Sequence, residues 1–239
     1  MAQMTAVILA GGLGTRLRPF TYTIPKPLLP IGERPALEIL MTTIVRCGVD
    51  RVTLCLGYLA PLVIAFVQSR PNWRSAIDFV VETEPLGTAG PLRLVRDLPE
   101  HFIVVNGDTV TDLDFAALDR FHRDRGAAIT VFSPRIEEQV DYGLLEIEPG
   151  SDRVRRYVEK PVRALDVSSG VYVVSRHVLR HLPDAGRCDM PEVIGRVLQA
   201  GEIVAAFRPS GVYWRDIGRQ DHFEAANREM REHPERFAT

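Results

Sequence analysis

The chain has 239 residues, 46% of them hydrophobic, and a formal net charge of −2. That supplies one sizeable core, while 29 dispersed basic residues against 31 acidic ones leave no basic stripe for nucleic acid. No run of about 18 consecutive apolar residues exists, so no membrane span is expected, and three cysteines without metal-ligand spacing suit the reduced thiols of a cytoplasmic protein.

Residues 5–10 read as a short buried strand. It starts so near the N-terminus that no secretory leader is expected. A glycine loop follows at 11–14. Pro35 opens a helix with Leu37, Leu40, Met41, Ile44 and Val45 on one face, and Gly48 closes it. A strand over 51–56, a helix over 61–68 and a strand over 75–81 come next. A second glycine loop at 87–90 and a short helix lead to a strand over 101–106, which runs on to Asp108. Residues 115–125 read as helix and 127–132 as strand. This alternation predicts an α/β fold, Rossmann-like, with a mainly parallel sheet flanked by helices. Ligands of such sheets bind beyond the carboxyl ends of the strands, where the first glycine loop and Asp108 belong.

The second half is less regular. Strands are expected at 144–147, 154–158 and 167–174, forming an antiparallel subregion over the ligand cleft. A helix over 191–199 carries Val193, Ile194, Val197 and Leu198 on one side. A polar helix over 221–232 has Phe223, Ala226 and Met230 on a narrow face.

Only two of the 29 basic residues are lysines, Lys26 and Lys160, and each stands beside proline. Arginine is a planar fork, whereas lysine is a compact point charge suited to one phosphate oxygen. Upstream of Lys26, Gly11, Gly12 and Gly14 let the backbone approach a ligand and turn N–H groups inward as an anion nest. A dinucleotide fingerprint would need glycine where Leu17 stands, and a P-loop would need Gly-Lys in place of Leu17 and Arg18.

The string Gly11-Gly12-Leu13-Gly14-Thr15-Arg16-Leu17-Arg18-Pro19, continuing to Pro25-Lys26-Pro27-Leu28-Leu29-Pro30, closely resembles the opening motif of the sugar-1-phosphate nucleotidyltransferases. Glu84-Pro85-Leu86-Gly87-Thr88-Ala89-Gly90, Asn106-Gly107-Asp108, Asp141-Tyr142-Gly143, Glu159-Lys160-Pro161 and Trp214-Arg215-Asp216-Ile217-Gly218 resemble later motifs of that family, in its order. Together they span nearly the whole chain. The resemblance implies one domain over 1–239, with a nucleotide-binding part to about residue 133 and a sugar-binding part from about 134. Some members of the family carry a further C-terminal repeat domain, which is not expected in a chain of this length.

The implied reaction joins a nucleoside triphosphate and a sugar 1-phosphate into an NDP-sugar and pyrophosphate. A phosphate monoester has its second pKa near about 6, so the nucleophile needs no protein base at neutral pH. The demand is electrostatic: two anionic substrates must be held in line. By resemblance, Arg16 and Lys26 clamp the nucleotide phosphates, with Gly11, Gly12, Gly14 and Thr15 around them. Glu84, Gly87 and Thr88 meet the nucleoside, and the carboxylate of Glu84 matches the N1–H and N2–H₂ donors of guanine. Lys160 holds the sugar phosphate, Glu159 accepts sugar hydroxyls, and Gly143, Ser168 and Tyr172 complete that pocket. Many relatives place Asn where Ser168 stands, which makes a larger or modified sugar plausible. Asp108 and Asp216 hold Mg²⁺, although Asp216 at a helix start also suits a capping role.

The guanylyltransferase branch, with mannose- and heptose-1-phosphate enzymes, is the best match. A uridylyl- or thymidylyltransferase and an inactive sugar-nucleotide sensor are the alternatives. No nucleic-acid or membrane partner is expected, and a homo-oligomer is left open.

Overall fold

Residues 6–8 and 102–105 are apolar without a break, so these strands have no face to offer water and need cover on both sides. The computed structural model describes residues 4–70, 73 and 77–237. Strand β1 (Met4–Ala10) leads through three 3₁₀ turns and the short pair β2 (Pro30–Ile31) and β3 (Arg34–Pro35) to helix α1 (Ala36–Arg46). Then come β4 (Val49–Leu56), α2 (Ala60–Gln68), β5 (Ile77–Val81), β6 (His101–Asn106), β7 (Thr109–Thr111), α3 (Phe115–Arg125) and β8 (Ile129–Phe132). The second half holds β9 (Arg135–Gln139), β10 (Leu144–Ile147), β11 (Val154–Val158), β12 (Val162–Asp166) and β13 (Val171–Ser175). It closes with α4 (Met190–Gln199), β14 (Val204–Phe207), β15 (Trp214–Asp216) and α5 (Gln220–Glu232).

Seven strands form one sheet in the order β14-β8-β13-β6-β1-β4-β5. Neighbours are parallel except at β13, which is antiparallel to both β6 and β8. The pleat sorts side chains to two cores. Ile8, Ile103, Val105 and Val173 pack with Leu40 of α1, Val63 of α2 and Phe115 of α3. Val7, Phe102, Val104 and Val174 pack on the other face with Val193 and Val197 of α4. At roughly 1.5–3 kcal/mol for each fully buried large side chain, these two layers supply most of the driving force for folding. A third cluster, with Leu17, Leu29, Ile39, Val110, Ile217 and Ala226, joins the loop after β1 to α1, β7 and α5.

From β1 the chain steps outward through β4 and β5, then returns to the opposite side of β1 as β6. The loops leaving β1 and β6 therefore part from each other and open a crevice at the carboxyl ends of the strands.

Several details differ from the sequence expectations. Val45, expected on the packed face of α1, is 49% exposed, as is Leu198 of α4 at 56%. The strand expected over 167–174 begins at Val171 and lies inside the central sheet, not in a subregion over the cleft. β9, β12 and β14 had no sequence signal strong enough to find them; β9 and β12 are exposed throughout, so no hydrophobic alternation marks them. Of the strand expected over 75–81, residues 77–81 are strand, and 75 and 76 lie outside the described residues.

His122 of α3 is fully buried, with Nδ1 2.9 Å from Thr130 Oγ1 and Nε2 3.0 Å from Ser175 Oγ. Burial pushes its pKa down to about 4, aided by the neighbouring His101. The unfolded imidazole takes a proton near pH 6.5 that the folded one refuses. Stability is therefore complete above about pH 6.5 and falls as pH drops toward 4, by about 1–3 kcal/mol at this site. His122→Gln should flatten that decline, which urea denaturation at pH 7.5 and pH 5 will measure. An unchanged pH slope would assign the acid sensitivity elsewhere.

Candidate active site

β1 delivers Ala10 straight into Gly11-Gly12-Leu13-Gly14. Gly14 has φ of +62°, and a β-carbon there would stand 2.8 Å from Thr21 Cγ2, so only glycine makes this turn without strain. Thr21 Oγ1 donates to Gly14 O at 2.8 Å and pins the loop. The N–H groups of Gly12, Leu13 and Gly14 have no acceptor among the described residues. They are free to meet an anion. This loop, with Thr15 and Arg16, forms one wall of a cleft of about 470 Å³.

The opposite wall comes from the end of β6. Gly107 N donates to Leu9 O at 2.8 Å, which brings the two strand ends together and sets Asp108 at the cleft. Lys26, on the 3₁₀ turn at 26–28, places Nζ on Asp108 Oδ2. Asp216 arrives on β15, which pairs antiparallel with β7 so that Asp216 stands opposite Thr109, and Ile217 N donates to Asp108 O at 3.1 Å. A β-carbon at Gly218 would lie 2.7 Å from Asp216 Oδ1, 3.1 Å from Lys26 Nζ and 3.5 Å from Arg16 Nη2. Arg16, Lys26 and Asp108 thus line the cleft with Gly218, and Asp216, which does not line it, adjoins them at Gly218.

Asp216 does not cap α5, whose cap position is Arg219; its Oδ1 accepts from Gly218 N at 2.9 Å and its Oδ2 lies 3.2 Å from His222 Nδ1. β15 is clamped from behind: Tyr213 Oη donates to Glu229 of α5 at 2.7 Å, and Arg215 Nη2 reaches the same carboxylate at 2.6 Å. Two carboxylates with room for phosphate and water oxygens suit a hard cation such as Mg²⁺. Among the described residues, no group of three or more His, Cys, Asp or Glu is placed to hold a metal by itself. Any such ion would have to share ligands with substrate.

The cleft is also lined by Glu82, Pro85, Gly87, Thr88, Arg187 and Asp189. Glu84 is exposed and does not line it. The reason is the end of β5: Glu82 N still bonds Leu56 O at 2.7 Å, so residue 82 keeps the strand's direction, and its Oε1 lies where a β-carbon on Gly11 would be. Glu82 Oε2 accepts from Leu86 N at 3.0 Å, and burial raises the carboxyl's pKa. Asp189 ties this loop to a later one. Its Oδ1 accepts from Thr88 N at 2.8 Å while its partner Glu192 closes a capping box at the start of α4. Burial alone would raise its pKa, but the bonds from Thr88 and Arg187 outweigh that and hold it low.

Glu82, Arg187 and Asp189 were not expected from the sequence. The Asp189-Met190-Pro191-Glu192 capping box was legible as a helix start. Its place against residue 88 was not.

Residues 135–166 form a two-stranded arm, with β9 on β12, β10 on β11, and Val140 N bonded to Pro161 O at 3.0 Å between them. Gly143 sits against the Tyr157 phenol, whose hydroxyl donates to Glu159. Lys160 is exposed, with φ of +40°. At the arm's base Ser168 Oγ lies 3.1 Å from the hydroxyl of buried Tyr172. Gly143, Glu159, Lys160, Ser168 and Tyr172 are thus gathered on and below the arm, and none of them lines the cleft.

A glycine loop at the switch point of an α/β sheet, beside paired cations and carboxylates, is an arrangement suited to receiving an anion such as a phosphate. Residues 5–233 match the family model described as nucleotidyl transferase, and the chain belongs to that family. Among its relatives, a mannose-1-phosphate guanyltransferase of Yarrowia lipolytica is 34% identical over 227 residues, covering 92% of this chain and 62% of the relative. The chain thus spans about three fifths of the length of the curated relatives it matches. Among solved structures, HddC of Yersinia pseudotuberculosis is 30% identical with a TM-score of 0.75, covering 95% of this chain and all of HddC. The same protein complexed with GMP-PN gives 29% identity and a TM-score of 0.73.

Proposed function

We propose that the protein transfers a guanylyl group from GTP to a sugar 1-phosphate, giving a GDP-sugar and pyrophosphate. The observation that carries this reading is the convergence of Arg16, Lys26, Asp108 and Asp216 around Gly218, beside a loop of unpaired N–H groups. Relatives named as mannose-1-phosphate guanyltransferases and a neighbour complexed with GMP-PN support guanine as the base.

In this reading the sugar phosphate dianion attacks the α-phosphorus in line, without a protein base. Gly11, Gly12 and Gly14 receive the nucleotide phosphates, Lys26 offsets charge on them and Arg16 stabilises the departing pyrophosphate. Asp108 and Asp216 would hold Mg²⁺, which when bound neutralises charge between the two anionic substrates. Glu82, rather than Glu84, takes the guanine N1–H and N2–H₂ donors, with Gly87 and Thr88 beside it. Lys160 meets the sugar phosphate, and Glu159, Gly143, Ser168 and Tyr172 surround the sugar. Three free cysteines and a nucleoside triphosphate substrate support a cytoplasmic location.

The test is pyrophosphate release with Mg²⁺ for GTP, ATP, UTP and dTTP against a panel of hexose and heptose 1-phosphates. Release from GTP with one or more of these sugars is expected. Release from UTP or dTTP in preference to GTP would replace the guanylyl assignment with a pyrimidine one. No release from any pair would overturn the enzymatic reading.

A further inference from the structure

Arg187 is a cation in the nucleotide cleft for which the phosphate machinery has no use. It lines the cleft with Glu82, Gly87 and Thr88 and is not among the groups nearest Gly218, which are Asp216, Lys26 and Arg16. Its side chain is held from one edge. Nε and Nη2 both donate to Asp189 Oδ2, at 3.3 and 3.0 Å. Asp189 is itself fixed by Thr88 N and by the capping box of α4, and a β-carbon on Gly87 would stand 2.7 Å from its Oδ1. The guanidinium is therefore fastened to the loop that carries the base site, with Nη1 and one Nη2 hydrogen unpartnered among the described residues.

Two parallel N–H donors on a planar fork match two adjacent acceptors. Among nucleobases, guanine presents such a pair at O6 and N7, and arginine is its usual reader. Uracil and thymine have no acceptor at the corresponding ring position, and adenine has a donor where guanine has O6. A carboxylate at Glu82 reads the donor edge only, N1–H and N2–H₂. Resting on the guanylyl reading above, we infer that Arg187 is a specificity residue that reads guanine O6 and N7, so that guanine is checked on two edges by residues a hundred positions apart.

7-Deaza-GTP, in which N7 is replaced by C–H, isolates this contact; ITP, which lacks the 2-amino group, isolates the Glu82 contact. The parent should use 7-deaza-GTP about tenfold less well than GTP in kcat/KM. Arg187→Ala should lower GTP use to the 7-deaza-GTP level and make the two equal, while the penalty for ITP persists. Arg187→Lys keeps the charge but loses the fork, so it should behave like Ala. Arg187 is exposed, so the variants should melt with the parent. Equal use of GTP and 7-deaza-GTP by the parent overturns the inference. So does an Ala variant that loses both nucleotides alike, or a Lys variant that restores both, because either outcome puts the charge on phosphate or ribose. Failure of the guanylyl reading shows earlier and separately, as parental preference for UTP or dTTP over GTP.

Discussion

Asp108→Asn and Asp216→Asn should each lower kcat by about a hundredfold or more at saturating substrates and Mg²⁺. Both substitutions keep the shape and an acceptor oxygen, so Asp216→Asn can still receive Gly218 N and the fold should survive. If the two carboxylates hold one cation, as proposed, the double variant should lose little beyond either single one, because residues acting as a unit are non-additive. Independent, multiplying losses would mean that they serve different steps. Near-parental turnover in either single variant would remove that residue from the site.

Glu82→Gln should lower kcat/KM for GTP by about a hundredfold or more and improve UTP and dTTP relative to it. A site built to satisfy particular hydrogen-bonding groups rejects analogues that lack them by large factors, since buried polar atoms are left unpaired. Glutamine puts a donor against the guanine donors, whereas the same donor suits a pyrimidine carbonyl. Glu84→Gln is the control and should change nothing, since Glu84 is exposed and outside the cleft. Measuring three nucleotides in three proteins separates the two glutamates. A nucleotide ratio that moves with residue 84 and not with residue 82 would reverse the assignment.

The glycine loop and Asp108 were legible because each follows an apolar strand, and a strand end in a parallel sheet has one place to go; Lys26 was legible as one of only two lysines, set beside proline. Asp216 was legible through its motif and not through its geometry: β15 is three residues long and has no periodicity to read. Glu82, which lines the cleft, was missed for a different reason. Choosing between Glu82 and Glu84 needs the last ladder bond of β5, from Glu82 N to Leu56 O, and a sequence pattern cannot place a strand end to within two residues. Asp189 was out of reach because its partner Thr88 is a hundred residues earlier, and Arg187 reaches the cleft only through its bond to Asp189. The arm was half found. β10 and β11 carry enough apolar residues to show as strands, while β9 and β12 are exposed at every position.

The pairing of β15 with β7 sets an order of events during synthesis. Every strand of the central sheet has been made once residue 207 leaves the ribosome, and with it the glycine loop and the loops that carry Thr88 and Asp189. Asp216 comes after that, and it reaches the cleft only when β15 docks on β7 and α5 closes behind it. A nascent chain can therefore complete the glycine-loop wall of the cleft before Asp216 is in place beside Gly218.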